Sequence, residues 1–134
     1  ENELKELSGT YSNFALDLGY KEYLSHKIYA SSDFLLMPSR VEPCGLNQMY
    51  AMRYGTVPIV RYIGGLRDTV EDISTGGSGI NFGDATAEDA VNAMHRAMHI
   101  YHDHDLMKKL IQSNMDFDFS WDKSAHIYLE LYRK

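Results

Sequence analysis

Cysteine is almost missing: Cys44 stands alone in 134 residues, so no disulfide can form within the chain. That fits a reducing compartment, and the expected location is cytoplasmic. Long apolar runs are missing too. The longest, such as residues 34–37, are a few residues, whereas a membrane-spanning helix needs about 20. The first residues, Glu-Asn-Glu-Leu-Lys-Glu, have neither the basic start nor the apolar core of a signal peptide. There is no initiator Met, so residue 1 reads as a processed or engineered start. Positive charge is in short supply: 13 Lys and Arg face 19 Asp and Glu, a net charge of −6. Such a surface repels phosphate backbones, which argues against nucleic acid while leaving room for a local basic site. Low-complexity segments, long linkers and internal repeats are all absent.

What remains has the makings of one domain with a real core, since hydrophobic residues make up 44% and charged residues 24%. Short apolar runs alternate with amphipathic ones. Residues 14–18, 33–37, 57–61 and 79–82 are predicted strands. Helices are expected over 20–30, 46–54, 66–72, 86–102, 105–114 and from about 120 to Lys134, with an earlier helix ending near Leu7. Pro38 stops the second strand, and Pro58 sits near the start of the third, where a missing amide is tolerable. Thr86 is placed to cap its helix, with Asp89 three residues on. Residues 75–79 read as a glycine-rich loop. Strand and helix in alternation, with short connections, predict an α/β fold. It is a doubly wound, Rossmann-like parallel sheet with helices on both faces. Four strands are few for this architecture, and its first strands are expected before residue 1.

In open parallel sheets, ligands bind beyond the carboxyl ends of the strands. Two such ends are rich in polar residues and glycine. One is residues 38–48, where Glu42 stands just before a helix and Gly45 permits close backbone approach. A carboxylate there could bind sugar hydroxyls or stabilise developing positive charge. It could equally cap the helix or pair with Arg40. The other is residues 61–68, where Gly64 and Gly65 open a helix. Amides and helix dipole converge there on a place suited to an anion, although a Gly-Gly pair is more often just a turn. His95, His99 and His102 share one helix face with His104 nearby, a spacing open to zinc but better explained as a solvated helix end. No His is placed in sequence to activate Cys44 as a nucleophile.

Residues 39–61, Ser-Arg-Val-Glu-Pro-Cys-Gly-Leu-Asn-Gln-Met-Tyr-Ala-Met-Arg-Tyr-Gly-Thr-Val-Pro-Ile-Val-Arg, closely resemble the donor-site signature of bacterial glycogen synthases and plant starch synthases. Gly64 to Val70 continues it in register. Gly19-Tyr20, residues 25–30 and Asp33 fit the block before it. Phe119-Ser120-Trp121 with Ser124-Ala125 fits the closing helix. A continuous signature of this length is far more specific than a lone glycine motif.

The resemblance implies one half of a two-Rossmann-domain (type B) glycosyltransferase. Residues 1–119 would form a carboxy-terminal, nucleotide-sugar-binding domain incomplete at its own start. Residues 120–134 would form a closing helix that crosses to the other domain. The implied reaction transfers glucose from ADP-glucose to the non-reducing end of an α-1,4-glucan, with retention and without metal or other cofactor. Glu42 would be the catalytic carboxylate at the transferred glucose. Cys44, Gly45 and Leu46 would line the donor sugar. Gly64, Gly65 and Leu66 would hold donor phosphate and sugar through their amides, and Tyr20 would sit at the adenine. Partners would be ADP-glucose, the glucan and the missing amino-terminal domain, with no nucleic acid and no membrane.

The sequence departs from the pattern in places. Related transferases often carry a second Glu eight positions after the first. Tyr50 stands there, as is usual in the synthase branch. Ile63 replaces a common Thr, removing a hydroxyl near the phosphates, and Val41 replaces a common Phe. The cationic residues that neutralise the donor diphosphate in the family would lie before residue 1. Two other readings stay open at this stage. One is the donor half of another two-domain sugar-nucleotide enzyme, such as a sucrose-phosphate synthase-like transferase or an epimerase. The other is a non-catalytic nucleotide-binding module.

Overall fold

The structure, a computed structural model, describes residues 1–133. In chain order the elements are α1 (Asn2–Thr10), α2 (Glu22–Ser31), β1 (Phe34–Met37), α3 (Asn47–Arg53), β2 (Val57–Arg61) and α4 (Gly64–Thr69). A single 3-10 turn (Ile73–Thr75) follows. Then come β3 (Ile80–Phe82), α5 (Ala87–His102), α6 (His104–Asp116) and α7 (Trp121–Tyr132). The strands form one parallel sheet in the order β1-β2-β3.

The apolar runs explain the layering. In β2 the first four residues are buried, as a central strand covered on both faces requires. Alternation divides them. Val57 and Ile59, with Ile80 and Phe82 of β3, pack against Ala93, Ala97 and Ile100 of α5 and Met107 and Leu110 of α6. Val60 turns the other way, with Met37, into a second cluster holding Met52 of α3, Leu66 of α4 and Val70. Helices therefore cover both faces, as the alternating pattern predicts. Thr56, fully buried, fastens α2 to this core: its hydroxyl reaches the carbonyls of Tyr29 and Ser32, the latter at 2.8 Å.

One predicted strand is corrected. Residues 14–18 form no strand, so the sheet has three strands among the described residues. A strand exists only with a neighbour to pair with, and β1 is paired on one side alone, with β2. The run 14–18 finds no such partner, and its Asp17 instead bonds locally to Lys21 at 2.8 Å. The helix expected over 66–72 starts earlier, at Gly64, and stops at Thr69, because Val70 is extended. The expected end of the last helix at Lys134 lies outside the described residues.

Beyond α4, Asp72 organises the chain. Its Oδ1 accepts bonds from the Ser74 amide (2.9 Å), the Ser74 hydroxyl (2.6 Å) and Arg96 Nη2 (2.5 Å). Its Oδ2 accepts from the Asn81 amide at 2.7 Å. One carboxylate thus joins the 3-10 turn, β3 and α5. Partial burial pushes the carboxyl pKa up, but the bonds from Arg96, Ser74 and Asn81 outweigh it and hold Asp72 well below the usual carboxylate range. A depressed folded-state pKa contributes stability that is present above the unfolded value of 3.8 and is lost as pH falls through the folded one. Asp72→Asn is therefore expected to cost about 2–3 kcal/mol at neutral pH, as loss of a charged hydrogen-bond hub does. Urea denaturation should show that difference shrinking below the unfolded pKa. A pH-independent difference would remove the charge from this account.

Candidate functional site

The carboxyl ends of β1 and β2 release the two loops that the sequence singles out, and the loops touch. The Gly65 amide donates to the Glu42 carbonyl at 3.1 Å. Gly64 has φ +49°, and a Cβ there would lie 1.9 Å from that same carbonyl oxygen. A Cβ on Gly65 would lie 2.0 Å from the carbonyl oxygen of Cys44. Only glycine allows this approach. The Gly-Gly pair is thus more than a turn: it is the surface on which the loop 42–45 rests.

Glu42 is half-buried at this edge. Its Oε2 accepts from the Ser39 hydroxyl at 3.3 Å. Neither structural alternative for it holds. Helix α3 is capped at Leu46 with no side-chain bond, and among the described residues Glu42 forms no ion pair with Arg40 or any other cation. Among the described residues the Ser39 hydroxyl is its carboxylate's one hydrogen-bond partner.

Arg61, at the end of β2, acts as a strut. Its Nη1 donates to the carbonyls of Arg40 (2.8 Å) and Ser39 (3.3 Å), and its Nε to that of Gly83 (3.1 Å). The guanidinium thereby ties the β1 loop to the end of β3.

The amides at the edge divide into two sets. Those of Gly65 and Leu66 are spent within the chain, the latter on the Ile63 carbonyl at 3.1 Å. Leu66 has a fully buried side chain and belongs to the core, so it can offer a ligand no surface of its own. By contrast, the amides of Cys44, Gly45, Leu46 and Gly64 find no acceptor among the described residues. The unclaimed donors thus lie mainly on the Glu42 loop.

The structure brings together Glu42, Cys44, Gly45, Gly64 and Gly65. It leaves Tyr20 apart, 83% exposed between α1 and α2, with no hydrogen bond or ring stacking to these loops. The Leu46 side chain turns to a groove of ≈ 540 Å³ shared with Tyr50, Arg53, Phe117 and Trp121. A concavity of ≈ 910 Å³ contains none of the expected site residues; Arg67, Asp72, Ser78 and Arg96 help to line it. Glu42, Cys44, Gly45, Gly64 and Gly65 line neither of these two concavities. His95, His99, His102 and His104 form no metal-binding cluster among the described residues. No described helix is long and apolar enough to cross a membrane. Helix α7 has no buried residue, and its Trp121 is 88% exposed.

Sequence reasoning gave no role to Gln48, Thr69 or Arg61 as fasteners of these loops. Gln48 is fully buried, and its Nε2 lies 3.2 Å from the Cys44 carbonyl, 3.0 Å from that of Gly45 and 3.0 Å from Thr69 Oγ1. The available signal was an amide side chain one helical turn after a glycine loop, close enough to reach back to it.

Comparison with known proteins agrees with this layout. A family profile described as "Glycosyl transferases group 1" matches residues 17–115. A glycogen synthase of Flavobacterium johnsoniae is 48% identical over 133 residues, covering 98% of this chain and 28% of the relative. A glycogen synthase of Aquifex aeolicus is 46% identical over 134 residues, covering 100% of this chain and 29% of the relative. The catalytic domain of starch synthase IV from Arabidopsis thaliana, bound to ADP and acarbose, superposes with a TM-score of 0.87 at 40% identity. It covers 98% of this chain and 29% of that one. A sucrose-phosphate synthase of Thermosynechococcus elongatus shares the fold, with a TM-score of 0.71 at 24% identity over 98% of this chain and 33% of that one. The chain spans under a third of the length of each glycogen synthase compared. With the matched residues taking in the whole glycine edge and its sheet, the chain belongs to the group 1 glycosyl transferases and is homologous to the glycogen and starch synthases.

Proposed function

We propose that this chain is the donor-binding half of a glycogen (starch) synthase. The full-length polypeptide would transfer glucose from ADP-glucose to the non-reducing end of an α-1,4-glucan with retention of configuration. One observation carries the reading: an unpaired, half-buried Glu42 carboxylate stands on the loop that bears unclaimed amides, locked by its own carbonyl to Gly65. A carboxylate so placed favours positive charge growing at an anomeric carbon, and fixed amides suit sugar hydroxyls or phosphate oxygens. The ADP and acarbose bound to the starch synthase IV relative support the same donor class. The residues 1–119 would form the donor domain, and α7 would carry its exposed apolar face, Trp121, Tyr128 and Leu131 included, to the rest of the polypeptide. Tyr20 would reach the adenine as the outer part of the site. The cytoplasm is the proposed location.

The test is transfer of labelled glucose from ADP-glucose to a maltooligosaccharide by the full-length polypeptide, with UDP-glucose in parallel. Transfer from neither donor would end the proposal. The isolated chain is expected to fold, to transfer no glucose and to bind ADP weakly. A diphosphate carries two to three negative charges, and this chain already has a net charge of −6. Arg61 is committed to three carbonyls, which leaves Arg40 as the basic side chain on the Glu42 loop. Calorimetric titration of the isolated chain should give a dissociation constant weaker than about 10 μM, equivalent to about −7 kcal/mol. Tighter binding would place a complete phosphate site within these residues.

A further inference from the structure

We infer that Gln48 and Thr69 form a clamp that aims the amides of Gly45 and Leu46 at the donor; the inference rests on the donor-site reading above. The Gln48 side chain is fully buried, yet its amide nitrogen is used entirely on the Glu42 loop and on Thr69 at the end of α4. Its two hydrogens serve the carbonyls of Cys44 and Gly45 on one side and Thr69 Oγ1 on the other. Thr69 in turn donates its hydroxyl hydrogen to the Gly65 carbonyl at 2.6 Å. One chain of bonds therefore runs from the Glu42 loop through Gln48 and Thr69 into the Gly-Gly helix.

Peptide geometry gives the clamp its consequence. In a planar trans peptide the C=O and N–H point in opposite directions. Pinning the Cys44 carbonyl inward turns the Gly45 amide outward, and pinning the Gly45 carbonyl does the same for Leu46. Those are among the amides with no acceptor in the chain. Gly45 has φ +72°, and a Cβ on it would meet Gln48 Oε1 at 2.6 Å, so the glycine is what lets the side chain sit there. Gln48 Oε1 itself has no partner among the described residues. A site that needed only filling would hold an apolar side chain. This one keeps a buried amide with an unsatisfied oxygen, while its nitrogen bonds to the loop carbonyls and to Thr69. Gln48 and Thr69 are thus positioning residues, acting on the donor through the backbone.

The test uses the full-length polypeptide with ADP-glucose as the varied substrate. Gln48→Met keeps the shape and removes the bonds; Thr69→Val does the same for the hydroxyl, and Thr69→Ser restores it. Gln48→Met and Thr69→Val are expected to raise the KM for ADP-glucose by about 10- to 100-fold, since displacement by about 1 Å costs that much. The KM for maltooligosaccharide should stay within about threefold, and Thr69→Ser should return the donor KM to that range. The double variant should be little worse than the worse single one, as for residues acting through one bond. Donor and acceptor constants rising together, or Thr69→Val matching Thr69→Ser, would overturn the clamp. If Gln48→Met does not fold, the Thr69 pair decides alone. Glu42→Gln in the same background separates the two ideas. If it is inactive while Thr69→Val is unaffected, only the clamp fails. If it keeps full turnover, the donor-site reading fails.

Discussion

Glu42→Gln, made in the full-length polypeptide, is expected to lower turnover by about 100-fold or more, equivalent to about 3 kcal/mol of barrier, with donor affinity changed only slightly. The substitution keeps the size and most hydrogen bonding of the side chain and removes its charge. In the proposed reaction the charge matters little to a neutral bound glucose and most when the bond to the leaving phosphate stretches and the sugar gains oxocarbenium character. An interaction that strengthens only in the transition state appears in turnover rather than in binding. The structure makes Glu42 a fair test because its carboxylate has one neutral partner, the Ser39 hydroxyl, and no cation to strand. The variant should keep the stability of the parent. Steady-state kinetics with a thermal melt alongside would check both. Turnover close to the parent value would leave Glu42 with only its backbone role, the carbonyl that receives the Gly65 amide.

Much of this arrangement was legible in the sequence, for a physical reason. Buried strands of a parallel sheet must be short and apolar on both faces, and they must end in loops. The runs 33–37, 57–61 and 79–82 satisfy all of this within themselves and became β1, β2 and β3. The Thr86 cap was equally local, and its hydroxyl accepts from the Asp89 amide at 3.2 Å. Residues 14–18 show where local reasoning ends. Their apolarity is real, but a strand must also reach and pair with an edge, and nothing in the run itself states whether it does; β1 keeps its outer edge unpaired among the described residues.

The candidate site divides in the same way. Glycines that permit close approach and a carboxylate before a helix are local signals, and Glu42, Gly64 and Gly65 meet as expected. Which amides stay free is not local. Gly64, Gly65 and Leu66 read alike as donors, yet Gly65 and Leu66 spend their amides on Glu42 and Ile63. That depends on how one loop lies on another. The roles of Gln48 with Thr69, 21 positions apart, and of Arg61 with the carbonyls of Ser39 and Arg40 are set by the same packing. Asp72 and Arg96 escaped notice because nothing near either residue announces the other, 24 positions away.

Gly65→Ala is the second large expected effect. An added methyl group would stand 2.0 Å from the Cys44 carbonyl oxygen, 2.5 Å from its carbon and 2.5 Å from Cys44 Cα. All three are backbone atoms, so no rotamer change relieves the clash. The two loops must part by about 1.5 Å to reach ordinary contact, and overpacking of this kind costs about 1–3 kcal/mol or more. Parting them also stretches the bond from the Gly65 amide to the Glu42 carbonyl, 3.1 Å in the structure. The loop bearing the carboxylate would then shift relative to the Gly64-Gly65 turn. A displacement of about 1 Å is enough for a loss on the order of 100-fold in kcat/KM. Gly9→Ala supplies the control, because Gly9 lies inside α1 with nothing within 4 Å of a Cβ. It should leave activity unchanged and hold or raise stability, since alanine is the better helix former by about 1 kcal/mol. Urea denaturation and steady-state kinetics of the two variants give the comparison. Parent-like stability and activity for Gly65→Ala would mean that the two loops are not pressed together in solution, and the joint site drawn from them would have to be abandoned.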